Sequence, residues 1–221
     1  MIKNILFDID DTLFPSTEFS SLARKNAINA MIGMGLTTPY HKLDSMLHKI
    51  ISKKGSNSQE HFNELCKELA IKKPARYIAA AVAAYHDTKT SIQTFPKVPL
   101  TLLALRKNGY GIYAATNGNA VKQWDKLIRL RISLYFDGVF VSEEVGREKD
   151  KIFFQKITRE LKCLPAECIM VGDKEDSDIS PARSLGLKTV RVLPGKYSKN
   201  PTKADFSLSD ISELTTILQD L

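Results

Sequence analysis

The chain has 221 residues, a formal charge of +7 and 43% hydrophobic residues. That is enough for a substantial core, in one domain with an insertion or in two small domains. The 32 basic residues are scattered among 25 acidic ones, with no basic run longer than a pair and no interleaved aromatic motif, so the charge reads as a solvated surface and no nucleic-acid partner is expected. A positive field of this kind also draws anionic substrates toward a site.

Cys66, Cys163 and Cys168 are odd in number and show no CxxC spacing; they read as reduced packing residues of an intracellular protein. Acidic residues arrive by position 8, which leaves no room for a signal-peptide core, and no apolar run approaches transmembrane length, so a cytoplasmic protein without a membrane partner is expected. The four histidines lack HExxH spacing and read as surface or packing residues.

In chain order, Ile2 to Phe7 reads as a buried strand that runs into Asp8-Ile9-Asp10-Asp11-Thr12-Leu13. In extended chain, side chains two apart share a face, so Asp8 and Asp10 are expected to point the same way at the strand's exit. Ser16 to Met34 then carries Phe19, Leu22, Ala23, Ala27, Ala30, Met31 and Met34 at helical spacing. A second helix after Pro39 carries Leu43, Met46, Leu47, Ile50 and Ile51, and 53–58 is polar and turn-like. Phe62, Leu65, Cys66 and Leu69 mark a third helix. The alanine-rich run from Pro74 to about Thr90 marks a fourth, with Tyr77, Ile78, Ala81, Val82 and Tyr85 as its apolar positions. Residues 15–94 therefore read as an all-helical block whose Met and aromatic stripes are its own core.

Beyond Pro96 the pattern changes to strands alternating with helices. A helix from Leu100 to Lys107 is followed by a strand, Gly111 to Ala115, ending in Thr116-Asn117-Gly118-Asn119, and a helix with Val121, Trp124, Leu127 and Ile128. Further strands fall at Val139 to Val141, Cys168 to Val171 and Thr189 to Val192, with helices at about Lys151 to Leu161 and Ile179 to Leu185. This alternation predicts an α/β fold, a Rossmann-like, doubly wound parallel sheet formed by 1–14 and 95–221, with 15–94 inserted after the first strand.

In such sheets ligands gather at the carboxyl ends of strands. Asp8 and Asp10 end the first strand, Thr116, Asn117 and Gly118 the second, and Gly172-Asp173-Lys174-Glu175-Asp176-Ser177-Asp178 follows the fourth. Each segment alone is also what an acidic turn, an Asn-Gly turn or a helix N-cap looks like. Three of them at strand ends instead suit a hard cation next to a phosphoryl group.

With these motifs in this order, DIDDT at 8–12, Thr116-Asn117-Gly118, a lysine near 149 and GDKEDSD at 172–178, the chain resembles the haloacid dehalogenase superfamily of phosphatases with a helical cap. The stretches FDIDDTL, ARKNAI, AYHDTK, NGNAVKQW and VGDKEDSDI are similar to an archaeal branch described as glyceraldehyde 3-phosphate phosphatase-like. The resemblance spans essentially the whole chain. It implies a phosphomonoester hydrolase in which Asp8 is the nucleophile and forms an aspartyl-phosphate, while Asp10 protonates the leaving alkoxide and then takes a proton from water.

It further implies Mg2+ held by an Asp8 oxygen, the Asp10 backbone carbonyl and Asp173, with Asp178 steadying that shell, and phosphate oxygens held by Thr116, backbone N–H groups near Asn117 and Gly118, and a lysine. The substrate implied is a small phosphorylated metabolite, the assembly a monomer or homodimer, and, as the cap closes over the leaving group, selectivity is expected in residues such as Phe14, Tyr85 and His86. The chain departs from the family at the lysine. Gly146-Arg147-Glu148-Lys149-Asp150-Lys151 lacks the usual prolines, so Lys149 is favoured, Lys151 is the substitute and Lys122 the next candidate. A phosphomutase, a 2-haloacid dehalogenase and a receiver-like phosphoaspartate signalling module are the competing assignments. Asp10 together with the pair Asp173 and Asp178 speaks against dehalogenation, and the helical insertion against a receiver.

Overall fold

The computed structural model describes residues 1–55, 58–193, 201–219 and 221. By packing, the chain divides into two compact units, Met1–Pro15 with Gln93–Leu221, and Ser16–Ile92.

The first unit is built on one six-stranded sheet of order β3-β2-β1-β4-β5-β6, in which every pairing is parallel. Its strands are β1 (Asn4–Phe7), β2 (Gly111–Thr116), β3 (Gly138–Val141), β4 (Cys168–Gly172), β5 (Lys188–Val192) and β6 (Phe206–Leu208). The central strand β1 is covered on both faces, so Ile5, Leu6 and Phe7 form an unbroken apolar run instead of alternating with polar residues. Each such side chain contributes on the order of 1.5 to 3 kcal/mol by leaving water. The chain winds outward from β1 through β2 to β3, then returns to β4 on the other side of β1. The order of strands therefore reverses between β1 and β4, where open α/β sheets form their binding crevice.

Among the described residues the α-helices are α1 (Ser16–Gly33), α2 (Tyr40–Lys54), α3 (His61–Glu68), α4 (Ala75–Lys89), α5 (Val98–Lys107), α6 (Ala120–Arg129), α7 (Ser142–Val145), α8 (Lys151–Glu160), α9 (Ser180–Leu185) and α10 (Leu214–Ile217). In the sheet-bearing unit, Leu6, Met170 and Cys168 pack against Phe153, Phe154 and Ile157 of α8 and Ala182 of α9. Asp150 starts α8 in place of a proline, its carboxylate accepting from the Phe153 N–H at 2.8 Å.

The second unit contains α1 to α4, with α1 packed on α4 and Ala23, Ala27 and Ala81 of these two helices buried. Ile28, Met31, Leu43, Leu47 and Leu65 fill its core. Asn26 donates to the Thr88 hydroxyl at 2.9 Å, and that hydroxyl donates to the Ala84 carbonyl at 2.7 Å, so the polar pair in this interface is satisfied.

Several expectations shift. Lys53 and Lys54 complete α2, and the turn expected over 53–58 falls partly outside the described residues. Leu22, Met34 and Val82, assigned to apolar faces, are exposed. On α6 the expected stripe of Val121, Trp124, Leu127 and Ile128 is buried only at Leu127, and Ala120 and Gln123 are buried beside it. Gln123 turns inward because its amide donates to the Asn117 carbonyl at 2.7 Å. The short elements α7 and β6 carry too few residues to show a period. Phe14, expected in a selectivity role, is buried at 2% exposure.

Candidate active site

Asp8 follows β1 directly and continues its ladder, its N–H donating to the Val171 carbonyl at 2.9 Å. This brings Asp8 level with the end of β4, beside the reversal point of the sheet. The next residues turn back sharply. Leu13 N–H donates to the Ile9 carbonyl and Asp11 N–H to the Phe14 carbonyl, both at 3.0 Å, with Asp11 at φ 56°, a left-handed conformation that an aspartate adopts more readily than most residues.

Asp8, Asp173 and Asp178 offer carboxylate oxygens that all lie within 4.8 Å of one another. Asp178 is fully buried beside Gly172, where a Cβ would lie 2.5 Å from the Asp178 Oδ2. Glycine is thus the residue that lets this carboxylate stand against the strand end. The loop that returns Asp178 is a single π-helical turn (Glu175–Ile179), a wide turn that recurs at functional sites. Asp178 Oδ2 accepts from the Lys174 N–H at 2.9 Å and its Oδ1 lies 2.5 Å from the Lys149 ammonium.

That ammonium also lies 2.6 Å from Asp8 Oδ1, and the lysine is buried. Lys151, by contrast, is exposed at the start of α8, and Lys122 lies on the first turn of α6. Lys149 is positioned from the backbone, since its N–H donates to Asn117 Oδ1 at 2.8 Å.

The electrostatics follow from this crowding. Burial raises Asp8 to a pKa of about 6, against the opposing pull of Lys149, with Asp178 and Asp10 adding to the rise. Burial followed by the Asp8 charge raises Asp173 to about 7. Burial works against the Lys149 charge, but Asp8 and Asp178 outweigh it and hold the ammonium protonated. Lys174 stands near enough that, against the pull of burial, the charges of Asp173, Asp8 and Asp178 raise it, so two lysines face three carboxylates and the cluster is still short of positive charge. Asp173 Oδ1 is shielded from solvent and has no hydrogen-bond partner among the described residues. A hard cation that takes oxygen ligands fits this donor set, and the orphaned oxygen is the atom it would satisfy.

Asp10 does not join the cluster. The expectation that Asp8 and Asp10 aim at one point gives way to two separate pairings, because the turn after Ile9 sends the Asp10 carboxylate to Lys126 of α6. Both Asp10 oxygens contact that ammonium, at 2.7 and 2.6 Å. Asp10 remains near enough for its charge to raise Asp8. Lys126 also stands 5.8 Å from the Phe14 ring centroid.

At the end of β2, Thr116 is buried, with its hydroxyl 3.5 Å from the Asn117 carbonyl. The Gly118 N–H, expected among the phosphate donors, instead donates to the Ser142 hydroxyl at 2.9 Å. Asn117 serves through its side chain by holding Lys149. Glu143 secures the same loop by accepting from Asn119 Nδ2 at 2.7 Å and from the Ala120 N–H at 2.8 Å. Those bonds, with the backbone one the larger, hold its carboxyl below the usual range.

Lys126, Ser142, Glu143 and Arg191 are the residues that sequence reasoning missed. Arg191, buried at the end of β5, donates to the Asp173 carbonyl at 2.9 Å and reaches Glu175 at 3.3 Å, so it fixes the backbone that carries Asp173. A charged residue within an otherwise apolar strand, Thr189-Val190-Arg191-Val192, is the signal that could have found it.

The family described as haloacid dehalogenase-like hydrolase matches residues 5–192. A glyceraldehyde 3-phosphate phosphatase of Methanocaldococcus jannaschii is 39% identical over 225 residues, covering 100% of this chain and 99% of the relative. One from Methanopyrus kandleri is 42% identical over 231 residues, with 100% and 99% coverage. Among solved structures, a 2-haloacid dehalogenase of Pseudomonas syringae superposes with a TM-score of 0.73 at 22% identity, covering 100% of this chain and 99% of the other, a likeness of fold.

Proposed function

The chain belongs to the haloacid dehalogenase-like hydrolase family, and on that premise we propose that it is a phosphatase that hydrolyses a small phosphorylated metabolite through an aspartyl-phosphate on Asp8. The observation that carries this is the buried Asp8 carboxylate at the sheet's reversal point, flanked by Lys149 on one oxygen and grouped with Asp173, whose Oδ1 has no hydrogen-bond partner among the described residues. The relatives named as glyceraldehyde 3-phosphate phosphatases support a short phosphorylated aldehyde or sugar as the substrate class.

In this mechanism Asp8 attacks phosphorus and the leaving alkoxide departs with a proton from Asp10, which later accepts a proton from the water that releases phosphate. Lys149 neutralises Asp8 and the incoming phosphoryl oxygens, and the Thr116 hydroxyl donates to one of them. Lys126 is a positioning residue that keeps the Asp10 carboxylate oriented between turnovers. Asp8, Asp173 and the Asp10 backbone carbonyl would hold Mg2+, with Asp178 organising the loop around them. When bound, the ion supplies charge neutralisation that lets an anionic nucleophile approach a phosphate dianion. The unit Ser16–Ile92 is assigned the part of a cap that selects the leaving group.

The test is turnover of p-nitrophenyl phosphate, and then of a panel of phosphorylated sugars and aldehydes, in EDTA and with Mg2+ restored. Activity that disappears with chelation and returns with Mg2+, with kcat/KM highest for a three- to five-carbon phosphate, is the expected result. Full activity in exhaustively chelated enzyme, or chloride release from 2-chloropropionate in place of phosphate release, overturns the proposal.

A further inference from the structure

Two of the three cysteines stand side by side at the entry to β4. Cys168 Sγ and Cys163 Sγ are 3.3 Å apart, and both residues are held from the backbone. Cys168 is paired with Asn4 in the β1–β4 ladder. Cys163 closes the turn after α8, its N–H donating to the Thr158 carbonyl at 3.1 Å while Lys162 takes a left-handed conformation at φ 51°. The intervening loop is tied down as well, since Glu167 accepts from the Leu164 N–H at 2.9 Å and pairs with Lys3 at 2.5 Å.

The two thiols differ in access. Cys168 is buried, and burial first, then the Cys163 thiol beside it, push its pKa up, so it stays protonated. Cys163 is partly exposed and lines a surface pocket of about 470 Å³ with Gln155, Arg159, Lys162 and Pro165.

We propose that Cys163 and Cys168 form a reversible intramolecular disulfide, with Cys163 as the sulfur that meets the oxidant and Cys168 as the resolving one. With a peroxide as oxidant, the Cys163 thiolate attacks one peroxide oxygen, the O–O bond breaks, and Cys163 becomes a sulfenic acid as hydroxide leaves. Cys168 sulfur then attacks the sulfenic sulfur, and the displaced hydroxide takes the Cys168 proton and leaves as water. Two electrons pass from the two sulfurs to the peroxide, and a dithiol reverses the bond by exchange. The sulfurs close from 3.3 Å to a bond of about 2.05 Å by side-chain rotation, with both backbones already anchored. In a reducing compartment the pair rests as the dithiol and the bond is transient.

The bond staples the α8 to β4 connection at the end of β4 opposite Asp173, so it acts on stability and leaves turnover unchanged. The closed loop is short, and the expected rise in melting temperature is about 5 °C.

The full chain is treated with a small molar excess of hydrogen peroxide, alkylated, digested without reductant and mapped by mass spectrometry. The expected result is a Cys163–Cys168 link in most molecules, Cys66 still alkylated, and both thiols recovered with dithiothreitol. The Cys163→Ser variant is expected to form no link, and Cys168→Ser to stop at a Cys163 sulfenic acid trapped by dimedone. Should the buried Cys168→Ser substitution prevent folding, the wild type and Cys163→Ser maps decide alone. Over-oxidised Cys163 beside a free Cys168 in the wild type, or a link to Cys66 or to another molecule, overturns the proposal. An oxidised form that melts no higher than the reduced one overturns the stapling role.

Discussion

Two lysine–aspartate pairs near the end of β1 have the same contact distance, 2.6 Å, and different surroundings. Lys149 and Asp8 have side chains 2% and 4% exposed, whereas Lys126 and Asp10 are 27% and 23% exposed. In the buried pair the ammonium is shared with Asp178, and desolvation leaves Asp8 with a raised pKa in spite of its partner. In the outer pair one ammonium contacts both oxygens of a single carboxylate within reach of solvent. Contact distance alone therefore does not define the role of an ion pair. The buried pair sits in a charge deficit, which the proposed function fills with substrate and cation, and the outer pair holds one carboxylate in place.

The largest effect on this comparison comes from removing the carboxylate charge of the inner pair. Asp8→Asn preserves volume but removes the proposed nucleophile, and kcat is expected to fall on the order of 10⁵-fold with the fold intact by circular dichroism. Removing its cation is next. Lys149→Ala is expected to cost roughly 10² to 10³ in kcat/KM, the range for a positioned transition-state donor. Lys151→Ala, exposed on α8, is expected to change it by only a few-fold, and the reverse ranking assigns the phosphate lysine to Lys151.

The outer pair is expected to matter less. Lys126→Met leaves Asp10 present but unheld, and the expected loss is about tenfold, in kcat more than in KM, because only the proton-transfer step depends on that orientation. Lys126→Arg, which keeps a two-point contact with the carboxylate, is expected to recover most of it. A change confined to KM makes Lys126 a substrate contact instead.

The smallest effect is on stability. The carboxyls of Asp8 and Asp173 sit near 6 and 7 in the folded protein and near about 3.9 when unfolded. Between about pH 4 and pH 7 the folded state therefore binds more protons than the unfolded chain, and stability falls as pH rises through that window. In EDTA the melting temperature is expected to be lower at pH 7.5 than at pH 5 by a few degrees. Mg2+ is expected to restore it at pH 7.5 and do little at pH 5, where the donors are protonated. Asp173→Asn is expected to flatten the pH dependence. A slope that is unchanged in that variant removes Asp173 from the account.

The sheet was legible because its signals are local. Ile5-Leu6-Phe7 is a continuous apolar run, and each glycine- or aspartate-rich turn follows a strand directly. Thr116, Asp173 and Asp178 came from the same signals, and Lys149 from its distance to Gly146. What was hidden depends on positions far apart in the chain. Lys126 meets Asp10 across 116 residues, and Ser142 meets Gly118 across 24. Neither pairing has a spacing that a sequence displays. The side-chain period of an extended strand also failed after Asp8, because the chain leaves the strand there and the tight turn through Asp11 redirects Asp10. The α6 stripe misled for the opposite reason. Of its apolar positions Leu127 is buried but Val121, Trp124 and Ile128 are exposed, while Gln123, a polar residue, is drawn inward by a carbonyl that needs a donor.

The central claim is that Asp8 carries the phosphoryl group. The most direct measurement is a rapid acid quench of the enzyme during turnover of a phosphomonoester, followed by peptide mass spectrometry. The account predicts a phosphoryl adduct on Asp8 that is absent from Asp8→Asn. Steady turnover with Asp8 unmodified, or an adduct on a different residue, would contradict it.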